Sequence, residues 1–548
     1  MINSDYENQI IKKLIQKKIK NSEEFFVLLR KFSKAFKKPF PTKIELLKAY
    51  RDLVLSGKIK SCQRLEDLLK TRKIRTLSGI ASITVITSPN PKWGTGQALS
   101  CPGNCLYCPN EPNMPKSYVA NEPACMRAVL TKFSPYKQVE TRLNSLKLTG
   151  HTTDKIELIV LGGTWSVYPK NYQTWFIKRC FDACNTFRGV TLKSKGLKQA
   201  QKLNEKAKHR IVGLTLETRP DYLTLEEIKR MRQLGCTRVE IGIQSIYDDI
   251  LKYNRRGHDI NTAIKATKLL KDAGFKVTYH IMLNLPGSTV KKDEKMFEEL
   301  FSNPSFQPDQ LKIYPCVVLK SSPLYKLWKQ KKYKPYSEKQ LINLLIKIKE
   351  KIPPYVRIIR IIRDIPSQNI IAGNKVSNLR QVVTEKMKKE GKICRCIRCR
   401  EPRDLKFRTR PTLPTVAAGS PGNLKFRRRD YNASGNKEIF LSFEDTKNDK
   451  LLAFLRLRIT NHWTLPVLKN SALIRELQTY GRVVPIKSNI KKATQHRGLG
   501  KKLMKMAEKI VVEETNFKKI AVISGVGVRE YYRKLGYRLK DGYMMKKK

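Results

Sequence analysis

Between residues 76 and 365 the chain alternates short apolar runs with amphipathic helical segments, and this alternation limits the fold more than any other feature. The runs are IASITVIT (80–87), IELIVLGG (156–163), IVGLTLET (211–218), TRVEIGIQS (237–245), KVTYHIMLN (276–284) and QLKIYPCVV (310–318). Each is nearly continuous in apolar residues, as strands covered on both faces are. Segments such as LTLEEIKRMRQLG (223–235) and NTAIKATKLLKDAG (261–274) have helical spacing and lie between them. Repeated βα units predict a parallel sheet with helices packed on it. An incomplete βα barrel and a doubly wound sheet both satisfy the pattern. In either, ligand chemistry collects beyond the carboxyl ends of the strands, so polar residues there are the first candidates.

Beyond the first run lies CPGNCLYCPN, which places Cys101, Cys105 and Cys108 within eight positions. Thiolates at this spacing can fold round one metal centre. A structural zinc site or three unrelated thiols are the plainer readings, but zinc usually takes four ligands. A 4Fe–4S cluster held by three cysteines leaves one iron for a substrate. LGGT (161–164), ETRP (217–220), GIQS (242–245) and HIMLNLPG (280–287) follow four of the later strands. Together with the cysteines they resemble the radical S-adenosylmethionine (SAM) enzymes. In that family three thiolates hold the cluster and its open iron binds SAM. The resemblance implies that Gly162, Gly163 and Thr164 lie along the methionine moiety, with Glu217, Arg219 and Gln244 in the SAM pocket.

The rest of the chain divides by composition. Residues 1–75 read as basic amphipathic helices (IIKKLIQKKI, FFVLLRKFSKAFKK), either a solvated bundle or an arm for RNA. The formal net charge of +64 over 548 residues favours a polyanionic partner. Hydrophobic residues at 40% exclude a disordered chain. No apolar run is long enough to span a membrane, and no leader is read at the start, so a cytoplasmic protein is expected. Residues 366–410 form a linker carrying KICRCIRCRE, whose Cys394, Cys396 and Cys399 suit a structural zinc. Its fourth ligand is not visible locally, and His462 is only a candidate. After RPTLPTVAAGSPGN (410–423), residues 411–548 read as an α+β domain. IFLSFED, LLAFLRLRI and ALIRELQTYGRVVPI are antiparallel strands. ATQHRGLGKKLMKMAEKIVVEE runs from a glycine turn, with Gln495, Arg497, Gly498 and Gly500, into a helix whose free N–H groups suit a pyrophosphate. The order resembles the GNAT acetyltransferases.

A radical SAM region followed by a GNAT-like one, with CLYCPN, ETRPDYLT, NRRGH, IRELQTYG, QHRGLG and SGVGVREYYRKLGY, resembles the Elongator catalytic subunit family, the tRNA wobble-uridine acetyltransferases. The resemblance covers nearly the whole chain. It implies an enzyme that uses SAM-derived radical chemistry and acetyl-CoA to place a carboxymethyl group on carbon five of the wobble uridine. It implies cluster ligands Cys101, Cys105 and Cys108, and Lys155 against acetyl-CoA. Glu476, Leu477, Gln478 and Thr479 match the CoA-binding strand. Leu499, Gly500, Lys501 and Lys502 match the pyrophosphate turn, and Tyr532 matches a late catalytic tyrosine. Partners would be the tRNA anticodon stem-loop and an external electron donor, with a homodimer left open. Gln478 and Thr479 depart from the His-Val of many members, which removes a proposed histidine base. A protein lysine acetyltransferase with a structural Fe–S cluster is the alternative, as is an acetyl-CoA sensor that binds tRNA without turnover.

Overall fold

The computed structural model describes residues 4–17, 19, 21–71, 76, 78–90, 101–185, 194–402, 424–480 and 498–548. Gln495 and Arg497 of the glycine turn, and the stretch 403–423, lie outside the described residues.

The apolar runs form parallel strands β1 (Ala81–Ile86), β2 (Lys155–Leu161), β3 (Arg210–Thr218), β4 (Arg238–Gln244), β5 (Lys276–Leu283) and β6 (Gln310–Pro315). After a two-residue strand β7 (Val318–Leu319) comes β8 (Arg357–Arg360), which extends the sheet to the order β1-β2-β3-β4-β5-β6-β8. Arg238 on β4 reaches Glu157 on β2 at 2.7 Å. Glu240 on β4 is bonded to Lys312 on β6. Contacts that skip a strand require a concave face, so the sheet is curled, and β1 and β8 do not pair among the described residues. The result is the incomplete barrel rather than the doubly wound sheet. Helices cover the convex face. Five of them begin at Ser134, Thr224, Asp259, Thr289 and Ser337, whose side chains accept a backbone N–H three residues on. Such a cap contributes about 1 kcal/mol.

The N-terminal helices Ser4–Gln16, Ser22–Phe36, Lys43–Leu55 and Gln63–Leu69 bury Ile10, Ile11, Phe25, Leu46 and Leu69 in a core of their own. Their opposite faces expose Lys12, Lys13, Lys31, Lys34 and Lys48. A short β9 (Ile370–Ala372) pairs with β7. The helix Leu379–Lys389 then packs Leu379, Val383 and Met387 into the barrel's core.

The C-terminal sheet contains β10 (Leu424–Ala433), β11 (Asn436–Asp445), β12 (Lys450–Ile459), β13 (Ser471–Thr479), β14 (Lys519–Val522), β15 (Arg538–Lys540) and β16 (Tyr543–Lys547). The strands expected to be antiparallel are so from β11 to β13. β10 adds an edge before them. β13 and β14 run parallel and pair only where Ser471–Ile474 meet Lys519–Val522. β13 continues to Thr479, so a wedge opens beyond that point. The helix Leu499–Glu514 packs across β11, β12 and β13.

This sheet docks on the N-terminal ends of the barrel strands. Gln478 donates to the Ser78 carbonyl just before β1. Gly525 lies against Val212 of β3, where a Cβ would come within 2.0 Å of a carbonyl oxygen. Arg475 donates to Asp309, immediately before β6, at 2.5 Å, and Arg458 to Asp272 at 2.6 Å. Leu473, Ala521, Ile523 and Tyr543 belong to the same apolar cluster as the barrel. Within this seam Lys271, Arg456, Arg458 and Arg475 face Asp272, Asp309, Glu438 and Glu476. Arg475, Lys271 and Arg456 hold the Asp309 carboxyl well below the usual carboxylate range, and Lys276 with Arg456 lowers that of Glu476.

Candidate active site

The cysteine loop lies over the C-terminal ends of the strands, the end away from the second sheet. Its backbone is tied to both sides of the mouth: Leu106 N–H donates to the Asn254 carbonyl, Leu324 N–H to the Leu106 carbonyl, and Asn110 N–H to the Ser321 carbonyl. Cys105 is buried, while Cys101 and Cys108 are half-buried. The Thr164 hydroxyl donates to Cys101 Sγ at 3.1 Å, and Arg256 Nη1 to Cys105 Sγ at 3.6 Å. Burial, with Cys105 and Cys101 nearby, pushes the Cys108 thiol up to about 12. The Cys108 thiolate is therefore favoured only with a cation beside it. A three-thiol donor set of this kind, with arginine beside it, fits an iron–sulfur cluster.

The glycines after β2 are required sterically. Gly162 has φ 138°, and a Cβ there would sit 1.8 Å from Thr87 Oγ1. A Cβ on Gly163 would meet Cys101 at 3.5 Å. Arg219 forms a two-pronged bond to Asp221 (2.9 and 2.7 Å) and points an Nη at Gly103 of the cysteine loop. Gln244 ends β4 with φ 73°. The Glu217 carboxylate accepts from Tyr118 at 2.6 Å. The structure thus brings Gly163, Thr164 and Arg219 to the cysteines, and Glu217 to the same mouth. Lys116, Lys320 and Lys326 rim a hollow over Cys108.

Sequence reasoning missed Tyr118, Arg256 and His280, which join this mouth. For His280 the available signal was an imidazole inside an otherwise apolar strand, YHIML, matched by the lone charges of VEIGI and LKIYP; Tyr118 and Arg256 lie in loops without such a pattern.

The residues expected to bind acetyl-CoA lie at the opposite end. Leu477 and Thr479 face the turn at Gly500: a Cβ there would be 3.9 and 3.6 Å from them. Glu476 and Gln478 alternate to the other face. Glu476 accepts from Arg456 at 2.9 Å, and Gln478 holds Ser78, so both serve the seam instead. The helix begins at Leu499 after Gly498 in the left-handed conformation, φ 73°, with Lys501 and Lys502 exposed. Tyr532 contributes none of the three atoms nearest a Cβ at Gly500. It is buried among Leu503, Ala507 and Tyr537 in the core of the second sheet. Its neighbour Tyr531, one helical step round, places its hydroxyl 3.1 Å from the Gly500 Cβ position. That hydroxyl is buried and has no hydrogen-bond partner among the described residues. Lys155 opens β2 at this same end, and burial lowers its ammonium below the usual range.

Cys394, Cys396 and Cys399 bring their sulfurs within 4.8 Å of one another. Thiol hydrogen bonds from Cys394 and Cys399 hold Cys396 well below the usual thiol range. The group fits a metal ion, and no fourth His, Cys, Asp or Glu joins it among the described residues. His462 is not part of it. Its N–H donates to Thr460 in the turn between β12 and β13.

The Radical SAM superfamily model matches residues 99–300, and the Radical_SAM C-terminal domain model matches 308–389. The curled half-barrel with three cysteines at its C-terminal mouth is accordingly that of a radical SAM protein. The tRNA uridine(34) acetyltransferase of Methanocaldococcus infernus is 47% identical over 487 residues, spanning 87% of this chain and 88% of that protein. Elongator complex protein 3 of Homo sapiens is 40% identical over 488 residues, spanning 87% and 86%. The solved structure of archaeal Methanocaldococcus infernus Elp3 with an N-terminal deletion superposes with TM-score 0.73 at 45% identity. It covers 86% of this chain and 100% of its own. The chain belongs to the tRNA uridine(34) acetyltransferase/Elongator complex protein 3 family.

Proposed function

We propose that the chain uses SAM-derived radical chemistry and acetyl-CoA to attach a carboxymethyl group to carbon five of the wobble uridine in tRNA. Family membership supports the reaction class. The observation that carries the reading is the pairing of two sites on one barrel, a cysteine mouth at one end and a glycine-turn wedge at the other. A 4Fe–4S cluster on Cys101, Cys105 and Cys108, with SAM, would supply a 5′-deoxyadenosyl radical able to take hydrogen from the acetyl methyl. Gly162 and Gly163 leave room for a ligand against the backbone, and Arg219 and Arg256 place positive charge where a carboxylate would lie. In the wedge, the first N–H groups of the helix Leu499–Glu514 suit the pyrophosphate, and the Tyr531 hydroxyl can give a hydrogen bond to the acyl-CoA. Lys155 lies where the acyl chain would enter the barrel. The lysines of the N-terminal helices and of the hollow over Cys108 suit the anticodon stem-loop. An external donor would reduce the cluster. Zinc on Cys394, Cys396 and Cys399 would pin the helix Leu379–Lys389 to the barrel.

The test is nucleoside mass spectrometry on the anaerobically reconstituted protein with tRNA, SAM, acetyl-CoA and a reductant. A carboxymethyl gain on uridine, lost in Cys105→Ala, is expected. Acetyl transfer to protein lysines without SAM would instead support the lysine acetyltransferase.

A further inference from the structure

The concave face of the half-barrel carries a set of buried charges with no part in the reaction outlined above. Glu240, on β4, is fully buried. Its Oε2 accepts from His280 Nε2 on β5 at 2.9 Å and from Lys312 Nζ on β6. Its Oε1 faces the Arg238 guanidinium at 3.7 Å and has no hydrogen-bond partner among the described residues. Thr215, paired with Arg238 across β3 and β4, also has a buried hydroxyl without a partner. Buried polar atoms left in this way are places for water or a polar substrate group.

The cations decide where the proton lies. Lys312 and Arg238 keep Glu240 ionised, so the proton of the His280–Glu240 bond sits on His280 Nε2. Nδ1 makes no direct hydrogen bond among the described residues. It faces Glu217 Oε1 at 3.6 Å, too far for a direct bond. His280 therefore has the three parts of a general base: an orienting carboxylate, a fixed tautomer, and an open nitrogen at the cysteine mouth.

The proposed reaction needs a base at that place, and this inference rests on that reading. The acetyl methyl must meet the radical at the mouth, and the thioester carbonyl is one bond from that methyl. A carboxymethyl group appears only after water cleaves the thioester. The other described histidines are unsuited. His151 is bonded to Thr76 and His209 to Thr153, both away from the mouth. His258 has no hydrogen-bond partner for either nitrogen among the described residues, its Nδ1 lying 4.0 Å from Asp221, and burial beside Arg256 pushes it down to about 3. His462 lies at the other end.

We propose that His280, oriented by Glu240, is the general base that activates the water hydrolysing the acyl thioester. Water gives a proton to His280 Nδ1 as its oxygen bonds to the carbonyl carbon. Collapse breaks the C–S bond, the sulfur leaves with the electron pair, and the imidazolium returns the proton to it. The acid product then ionises.

The test uses the reconstituted full chain and its His280→Gln variant with tRNA, SAM, acetyl-CoA and a reductant, quenched and treated with hydroxylamine. Carboxymethyluridine is expected to fall by about a hundredfold or more while 5′-deoxyadenosine release persists. Hydroxylamine should capture the uncleaved thioester as a uridine hydroxamate that the wild type does not accumulate. Glu240→Gln should give the same trapped species with a smaller fall. Nitrogen-15 NMR of histidine-labelled protein without cofactors should find His280 with its proton on Nε2. Carboxymethyluridine at wild-type yield in His280→Gln overturns the proposal, as does a proton on Nδ1 or joint loss of product and 5′-deoxyadenosine. A wild-type chain that releases 5′-deoxyadenosine but makes no carboxymethyluridine overturns the functional reading itself, and the hydrolysis proposal with it.

Discussion

Gly162 and Tyr531 are positions where a single atom matters. In Gly162→Ala the added methyl must displace Thr87 at a left-handed φ. We expect a loss of at least about 2 kcal/mol and weakened SAM binding, read by thermal denaturation and equilibrium binding. The tyrosine pair makes a sharper test. Tyr531→Phe removes only the hydroxyl at the Gly500 turn, so turnover should fall with the melting temperature unchanged. Tyr532→Ala opens a cavity in the second core and should cost about 3–5 kcal/mol. Both tyrosines are present in the motif, but which one faces the turn depends on the phase of a five-residue helix, Arg529–Arg533. Sequence order alone does not give that phase. His280 was hidden for a related reason: Glu240 lies on another strand, and only the curl of the sheet joins them.

At the scale of elements, the barrel strands were legible because IELIVL and RVEIGI bury nearly every residue and have few competing readings. β10 was not. LKFRRRDYNA is an edge strand whose exposed positions are largely charged, so it reads like the linker before it. β8 was missed because RIIR is too short for a period to show. The Cys394–Cys399 segment was legible as a metal motif, but not its place: Ile397 N–H donates to the Val356 carbonyl, binding it to the start of β8. Chelation of a metal there, or Cys396→Ala, should loosen the helix Leu379–Lys389 while leaving the cluster's absorbance. Hydrogen exchange over 379–400 and metal analysis would check this, and unchanged exchange would remove the structural role.

Across the whole molecule, charge acts in two ways. Outside, the excess of lysine should make tRNA affinity fall about a thousandfold between about 50 and 200 mM salt. A flat salt response would sink the RNA-binding surface. Inside, the seam of Asp309 with Arg475 and Arg456 joins the two sheets. Asp309→Ala removes the buried carboxylate that Arg475 and Arg456 share, leaving excess buried positive charge, and should cost about 3–5 kcal/mol. The Asp309 carboxyl is depressed in the fold, so its stabilisation is fully present above its unfolded pKa of about 4 and is lost as pH falls below it. The wild-type advantage over Asp309→Asn in thermal denaturation should accordingly shrink below about pH 4. The docking of the second sheet on the barrel's N-terminal rim has a further consequence. In the proposed reaction the acyl donor and the radical source use separate doors at opposite ends of the barrel, so neither can crowd out the other. The chain then behaves as a coincidence gate, firing only when both doors are filled, and saturating it with one co-substrate should not raise the amount of the other needed.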